Sequence, residues 1–473
     1  MTDDLKVTGP ITGGSHGWAF AARMDDVAAY GYVEEEYFLE GTAAVYGLAD
    51  GASFTVDGRW STEAKETLPF RTRILVRRPA DPAHFNGTVI LEWNNVSMMH
   101  DLMMYELPGL AALGFAHVGV SAQRLGVHGA PDLMGDLGDP LVRWDPERYG
   151  SLDVPSEDLS FGIFTQAARA VGPKRPTSPA DPMNDLHVER VIGTGVSQSA
   201  QRLHTYINGV HSIEGVIDGF IPLMQAGPMS PLVTPSDVSF SPFADETGAG
   251  TFGDIEAPLP LVFFKLRDDL AVPIFIFNSE VDAQFCLPIR RPDSDNYRSW
   301  EIAGTSHGGD SMERQLALDK RDMGQDYQPM MAFGTNTNGT SWNGPLHAAL
   351  VHLDRWIATG DLPPSMPPIE VGDEAGKFRR DEHGNAIGGV RLPHVEAPVA
   401  ALYGQGDASG WLMSLSGKTI PFSDEKLRGL YGDHATYVAK VKASADAAVV
   451  SGTLLSPDAA ALVAAAESSS ILA

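Results

Sequence analysis

Val191-Ile192-Gly193-Thr194-Gly195-Val196-Ser197-Gln198-Ser199-Ala200 reads as a buried strand that breaks into a helix through a turn carrying a serine. In such an elbow the serine takes a strained backbone conformation. Gly195 and Ser199, two places to either side, must therefore be small for the helix to pack near the strand. The hydroxyl then projects from the end of the sheet, and the first helical amides face the place where a negative charge would form. Upstream, Val188, Val191 and Ile192 supply an apolar run. Downstream, Ala200, Leu203, Tyr206 and Ile207 recur at helical spacing, and Asn208-Gly209 supplies a stop. The usual pattern ends in glycine, so the hydroxymethyl group of Ser199 is expected to crowd the helix. A serine N-cap preceded by glycines is the bland alternative, and it is the order strand, turn, helix that favours the elbow. A dinucleotide-binding loop is excluded by Gln198, which stands where a third glycine is required.

Strands are expected on both sides of this elbow. Phe70 to Arg78 alternates in part like a half-exposed strand, and a turn over Asp81 to Gly87 leads into a second strand, Thr88 to Trp93. Leu107 to Leu113 reads as a helix, Phe115 to Ser121 as a strand and Phe161 to Val171 as a helix. Ile217 to Pro222 and the wholly apolar Pro273 to Phe277 add two more strands, the second suited to the centre of a sheet covered on both faces. The alternation implies an α/β fold with a mostly parallel central sheet and helices on both faces. The Pro-, Gly- and Ser-rich stretch 226–270 reads as an inserted cap or lid, and Gly334 to Thr340 as a solvated loop before a helix over Leu346 to Ala358. After Pro363-Pro364 strand signal is low. Helices are expected after Ser423, after Ser456-Pro457-Asp458 and over Asp433 to Val450, where Val438, Val441, Ala445 and Val449 form a stripe. Residues 1–473 are read as one domain whose C-terminal extension, 366–473, packs on the core.

With 473 residues, 43% of them hydrophobic and 20% charged, the chain can bury a large core. A formal charge of −27 argues against nucleic acid and anionic membranes as partners and disfavours polyanionic substrates. The single cysteine, Cys286, permits no intrachain disulfide and no cysteine metal cluster, and is read as a small buried hydrophobe. No basic segment followed by an apolar stretch opens the chain, and no apolar run is long enough for a bilayer, so a cytoplasmic location is expected. His347 and His352 are off the one-turn spacing of paired ligands, and Asp293-Ser294-Asp295 lacks the glycine and glutamate of a calcium loop, so no metal is expected.

A serine hydroxyl needs a base to activate it and an acid to orient that base. The strand Pro273 to Phe277 runs into Asn278-Ser279-Glu280-Val281-Asp282, placing carboxylates at the end where open α/β sheets hold their sites. Trp300 to Gly309 then reads as a short strand leading to His307 in a glycine-bordered loop, giving the order Ser, acid, His. Asp282 is preferred to Glu280 for its reach around the turn. Of the two oxyanion donors required, one is the amide of Gln198; the other is sought in the loop after Trp93, with Asn95 first and Asn94 second. Beside that loop stand Met98, Met99, Met103 and Met104, adaptable side chains suited to an apolar substrate pocket, for which Met98 and Met99 are the candidates.

These segments together resemble the α/β-hydrolase superfamily, and more narrowly a bacterial "α/β hydrolase domain" family of largely uncharacterised proteins. The narrower resemblance rests on Glu92-Trp93-Asn94-Asn95-Val96-Ser97, Gly195-Val196-Ser197-Gln198-Ser199-Ala200 with Arg202-Leu203, Trp300 through Ala303-Gly304-Thr305-Ser306-His307, and Gly388-Gly389-Val390-Arg391-Leu392-Pro393. It implies an α/β-hydrolase fold and a serine hydrolase with Ser197, Asp282 or Glu280, and His307 as triad. It supplies no substrate, because the fold hosts many chemistries. The expectation is a cofactor-free serine esterase acting on a small-to-medium apolar ester. Acyl transfer, or cleavage of a lactone, amide or polyester by the same residues, is the alternative within enzymes. A binding protein with an unused triad, its elbow distorted by Ser199, is the alternative outside them.

Overall fold

The computed structural model describes residues 4–129, 138–178, 180–225, 229–232, 263–327, 336–374, 376–407 and 414–473. Of the expected cap over 226–270, residues 226–228 and 233–262 lie outside the described residues, as do Gly334 and Thr335 of the polar loop. The chain forms two compact units. One is drawn from Met1–Leu223, Gly227–Pro273 and Arg314–Met330, the other from Met224–Ala226, Ile274–Glu313 and Met331–Ala473.

The first unit contains β1 (Lys6–Thr8), β2 (Tyr32–Leu48), β3 (Thr62–Pro79), β4 (Thr88–Trp93), β5 (Ala116–Val120), β6 (Arg190–Val196) and β7 (Gly219–Leu223). They lie in the order β1-β2-β3-β5-β4-β6-β7. Pairing is antiparallel from β1 to β5 and parallel from β5 through β4 and β6 to β7. Strand β4 has the expected bounds, whereas β3 begins at Thr62 instead of Phe70, and β2 was not foreseen. Its Glu34-Glu35-Glu36 run hides the apolar pattern, yet each acid finds a base on β3, Glu34 directly opposite in register and Glu35 and Glu36 on the diagonal, at Arg78 and Arg73.

Glu34 faces Arg77 in register and accepts from its Nε at 2.7 Å. Arg77 reaches Nδ1 of His117 at 3.4 Å, and Nε2 of His117 donates to Glu92 at 2.7 Å. Glu36, on the same face, accepts from Arg73 at 3.1 Å and from Arg148 at 2.7 Å. Arg73 also donates to Ser121 Oγ at 2.9 Å and to Asp101 at 3.2 Å. The charges thus run as two parallel rows under one face of β2, β3, β5 and β4. Burial lowers the pKa of His117 despite Glu92, so the ring is neutral, in keeping with one nitrogen accepting and the other donating. Successive strand residues point to opposite faces. Trp93 accordingly leaves this lattice and packs on α1 (Ser160–Val171), its ring 5.5 Å from Phe161 and 4.7 Å from Phe164.

In the second unit β8 (Ile274–Ser279) pairs parallel with β9 (Tyr297–Ile302). A hairpin-like pair, β10 (Ala400–Tyr403) with β11 (Lys418–Pro421), and single bridges Ile369 to Gly388, Val371 to Phe378 and Arg380 to Ala386 fill the region where no strand was expected. The helix Asp424–Tyr431 begins at the expected cap, Ser423 accepting from Lys426 N at 3.3 Å; His434–Ser451 is capped by Asp433, which accepts from Thr436 N at 2.8 Å; and the last helix starts at Ser456 itself, with no side-chain cap. Val441 and Ala445 of the foreseen stripe are buried, Val441 with Leu427, Tyr431 and Tyr437. His347 and His352 bind the tail, through Asp458 at 3.0 Å and the Gly452 carbonyl at 2.8 Å. No helix among the described residues is long and apolar enough to cross a membrane.

Candidate active site

The serine sits between β6 and α2 (Gln198–Gly209), with φ 61° and ψ −118°. A non-glycine residue in that region costs on the order of 1–3 kcal/mol and persists only where its surroundings over-determine it. Here they do. Ser197 N donates to Leu223 O at 3.0 Å, its carbonyl accepts from Gln201 N at 3.1 Å, and both flanking residues are buried while Ser197 is half-buried. Gly195 is required because a Cβ there would lie 2.7 Å from the Ser199 carbonyl oxygen. Ser199 does not crowd the elbow as expected. Its Oγ accepts from Val196 N at 2.9 Å and donates to Val196 O at 3.0 Å, so the hydroxyl closes the turn it was expected to strain.

The loop after β4 is tied to this elbow by Asn95, whose Nδ2 donates to Val196 O at 2.8 Å and whose Oδ1 accepts from Ser97 N at 2.7 Å. Its backbone amide, however, donates to Leu102 O at 3.1 Å, and that of Asn94 to Val120 O at 3.1 Å. Neither expected second oxyanion donor is therefore available, because the sheet and an antiparallel bridge have already engaged both. The next amide, Val96, bonds only the side-chain oxygen of Gln198, at 3.3 Å. Gln198 in turn donates to Gln123 Oε1 at 3.1 Å, an oxygen that also accepts from Trp93 Nε1 at 3.2 Å. The Gln198 amide opens the helix and has no backbone acceptor among the described residues. Val96 is thus the amide of this loop that is held by a side chain and not by a backbone carbonyl among the described residues, a candidate that sequence reasoning missed. Met98 and Met99 are almost wholly enclosed, Met99 with a left-handed φ of 64°, and Met103 packs against Ala19, Ala22 and Leu75.

In the second unit Asp282 lies on α3 (Glu280–Phe285), directly after β8. Its Oδ1 is 2.7 Å from Nδ1 of His307, and its Oδ2 accepts from Ser279 Oγ at 2.5 Å. Ser279 Oγ also caps the helix, accepting from Asp282 N at 3.3 Å. Asp282 and Ser279 are fully enclosed and His307 half-buried, so the carboxylate is held on both oxygens away from water. Glu280, the rival acid, does not reach His307; it binds backbone and Arg380 instead. Ser279 was visible in the quoted stretch, but nothing in its spacing marked it as an orienter of Asp282. Burial pushes the Cys286 thiol well up, and its Sγ donates to Gln225 O at 2.7 Å, the behaviour of an inert packed cysteine. Among the described residues no group of three or more His, Cys, Asp or Glu side chains is arranged to hold a metal.

A nucleophile elbow, two helix- and loop-derived amides and a carboxylate-held imidazole are the parts that acyl transfer needs. The model of the alpha/beta hydrolase domain family matches residues 7–464. No curated protein matches the chain. Among solved structures it is similar to esterase Est22, with 17% identity over 63% of this chain and 81% of that one and a TM-score of 0.34. It is similar to XC6422 from Xanthomonas campestris, described as an α/β serine hydrolase without a lid, with 13% identity over 58% and 95% and a TM-score of 0.28. It is similar also to a fungal esterase from Rhizomucor miehei, with 10% identity over 62% and 82% and a TM-score of 0.30. Likenesses of this size set no substrate for the chain.

Proposed function

The chain belongs to the alpha/beta hydrolase domain family, and from that premise we propose that it is a cofactor-free serine carboxylic-ester hydrolase acting on a small-to-medium apolar ester. Ser197 attacks the ester carbonyl. His307, with Nδ1 on Asp282, takes the serine proton at Nε2 and returns it to the leaving alcohol. The amides of Gln198 and Val96 receive the oxyanion, the second once the substrate oxygen replaces the Gln198 side-chain oxygen. Water then releases the acyl group by the same steps in reverse order. Met98 and Met99, on the loop that carries Val96, are proposed to shape the acyl pocket. The acidic balance of −27 suits a small neutral substrate in the cytoplasm and no nucleic acid.

The observation that carries this reading is the strained, half-buried Ser197 between a buried strand and a buried helix, a cost the fold bears at this one hydroxyl. The test is labelling by a fluorophosphonate probe, with p-nitrophenyl esters of graded acyl length as substrates. Stoichiometric labelling at Ser197 and a preference for medium chains are expected. Absence of labelling would return the protein to a silent binding role. A strict preference for acetyl esters would remove the methionines from the pocket.

A further inference from the structure

Glu280, having lost the role of triad acid to Asp282, has an unusual set of partners. The side chain is fully enclosed. Its Oε2 accepts from the amide of Gly304 at 2.8 Å, in the turn that leads from β9 to His307. Its Oε1 accepts from the amide of Gly404 at 3.0 Å and binds the Arg380 guanidinium. Arg380 also donates to Leu402 O at 3.1 Å and stacks on the Tyr403 ring at 4.6 Å. A lone internal carboxylate would be expensive; three donors make this one tolerable and fix its position.

What it grips is the histidine loop. Ala303 N donates to Val390 O at 3.1 Å, and Ala303 O accepts from His394 Nε2 at 2.9 Å. Gly304 O accepts from Asn338 Nδ2 at 2.9 Å, Ser306 Oγ donates to Asn338 O at 2.6 Å, and His307 N donates to Leu415 O at 3.2 Å. Gly304 has φ 74° and no room for a side chain, since a Cβ would lie 2.7 Å from Val395. Glu280 and Asp282 share the one short helix α3. That helix therefore holds the imidazole by Asp282 and the backbone of its loop by Glu280, two points of attachment on one rigid piece.

We propose that Glu280 is a positioning residue for His307, acting through the Gly304 amide, and that Arg380, as its counter-ion, ties residues 380–404 to the positioning of the histidine loop. This rests on the reading of His307 as the general base. A misplacement of about 1 Å at a catalytic group can cost on the order of 10²-fold in rate. Glu280→Gln keeps the size but turns an amide N–H toward a backbone N–H. It is expected to lower kcat by about 10- to 100-fold with KM within about 2-fold, and to shift the acid limb of the kcat/KM pH profile. Arg380→Met should follow it in kind, and Arg380→Lys should restore most of the rate. Arg379→Ala, which removes only the exposed pair with Glu370, should match the wild type. Wild-type kcat and pH profile in folded Glu280→Gln would overturn the proposal. If that variant fails to fold, the same result in Arg380→Met would do so. His307→Ala separates the two levels: full activity there sinks the hydrolase reading itself, whereas inactivity there with an unaffected Glu280→Gln sinks only the positioning role.

Discussion

The serine and the histidine of this protein are held by different means. Ser197 is fixed by regular structure: β6 before it, a helix after it, and hydrogen bonds from Ser199 and Asn95 that close on Val196 within the elbow. His307 is fixed by side chains and carbonyls drawn from residues 280 to 415, with no helix or strand of its own at that point. The first arrangement is centred on one strand, turn and helix, with Asn95 and Leu223 as its ties from outside. The second is assembled from segments distant in sequence and depends on every one of them arriving.

The comparison can be broken most directly at its ends. Ser197→Ala should lower kcat by on the order of 10⁴-fold or more and abolish fluorophosphonate labelling while leaving the melting temperature unchanged or raised, since alanine removes only the reacting atom. Asp282→Asn, which presents an N–H to the imidazole, should cost on the order of 10³- to 10⁴-fold in kcat, measured with a saturating p-nitrophenyl ester. A pH experiment sharpens the contrast between the regions. His211, buried near the serine helix, has its pKa lowered to about 4, first by desolvation and then by Arg267. A group that binds its proton more readily when unfolded contributes stability that is full above its unfolded pKa and lost on acidification. As pH falls from about 6.5 to about 4, unfolding measured by urea titration should therefore lose roughly 3 kcal/mol from this site, and His211→Phe should flatten that slope.

Smaller effects probe the local supports. Asn95→Ala unties the loop after β4 from Val196 and should reduce kcat by about 10-fold with little change in KM, read by steady-state kinetics. Ser199→Ala removes the closing hydrogen bonds of the elbow and should cost about 1 kcal/mol of stability, read by thermal unfolding, with activity largely kept. A large loss of activity in Ser199→Ala would mean that the elbow is less self-sufficient than its geometry indicates.

This difference also governs what could be read from the residues beforehand. Gly195, Ser197 and the following helix were legible because their constraint is steric and short in range. His307 and Asp282 were legible as types in order, at the ends of strands β9 and β8. The hands that hold them were not: Glu280 looked like a rival acid, and Arg380, Asn338 and Leu415 carry no local signal. The choice of Asn95 as donor failed because its amide is taken by Leu102, a pairing within a loop that no periodicity announces. Strand β2 was hidden by its glutamates, since a count of apolar residues cannot tell a solvated acid from one matched across a ladder.

The matched rows beneath β2 and β3 act as a vernier. Sliding β2 by two residues would preserve every inward and outward face, so apolar contacts alone barely distinguish the shifted alignment from the native one. The charges do, because a slide in either direction takes Glu34 off Arg77, onto Pro79 or Leu75, and parting this largely enclosed pair costs on the order of 3 kcal/mol. A long edge hairpin thereby acquires a single setting, and the loop that begins at Asn94 inherits a fixed starting point from it.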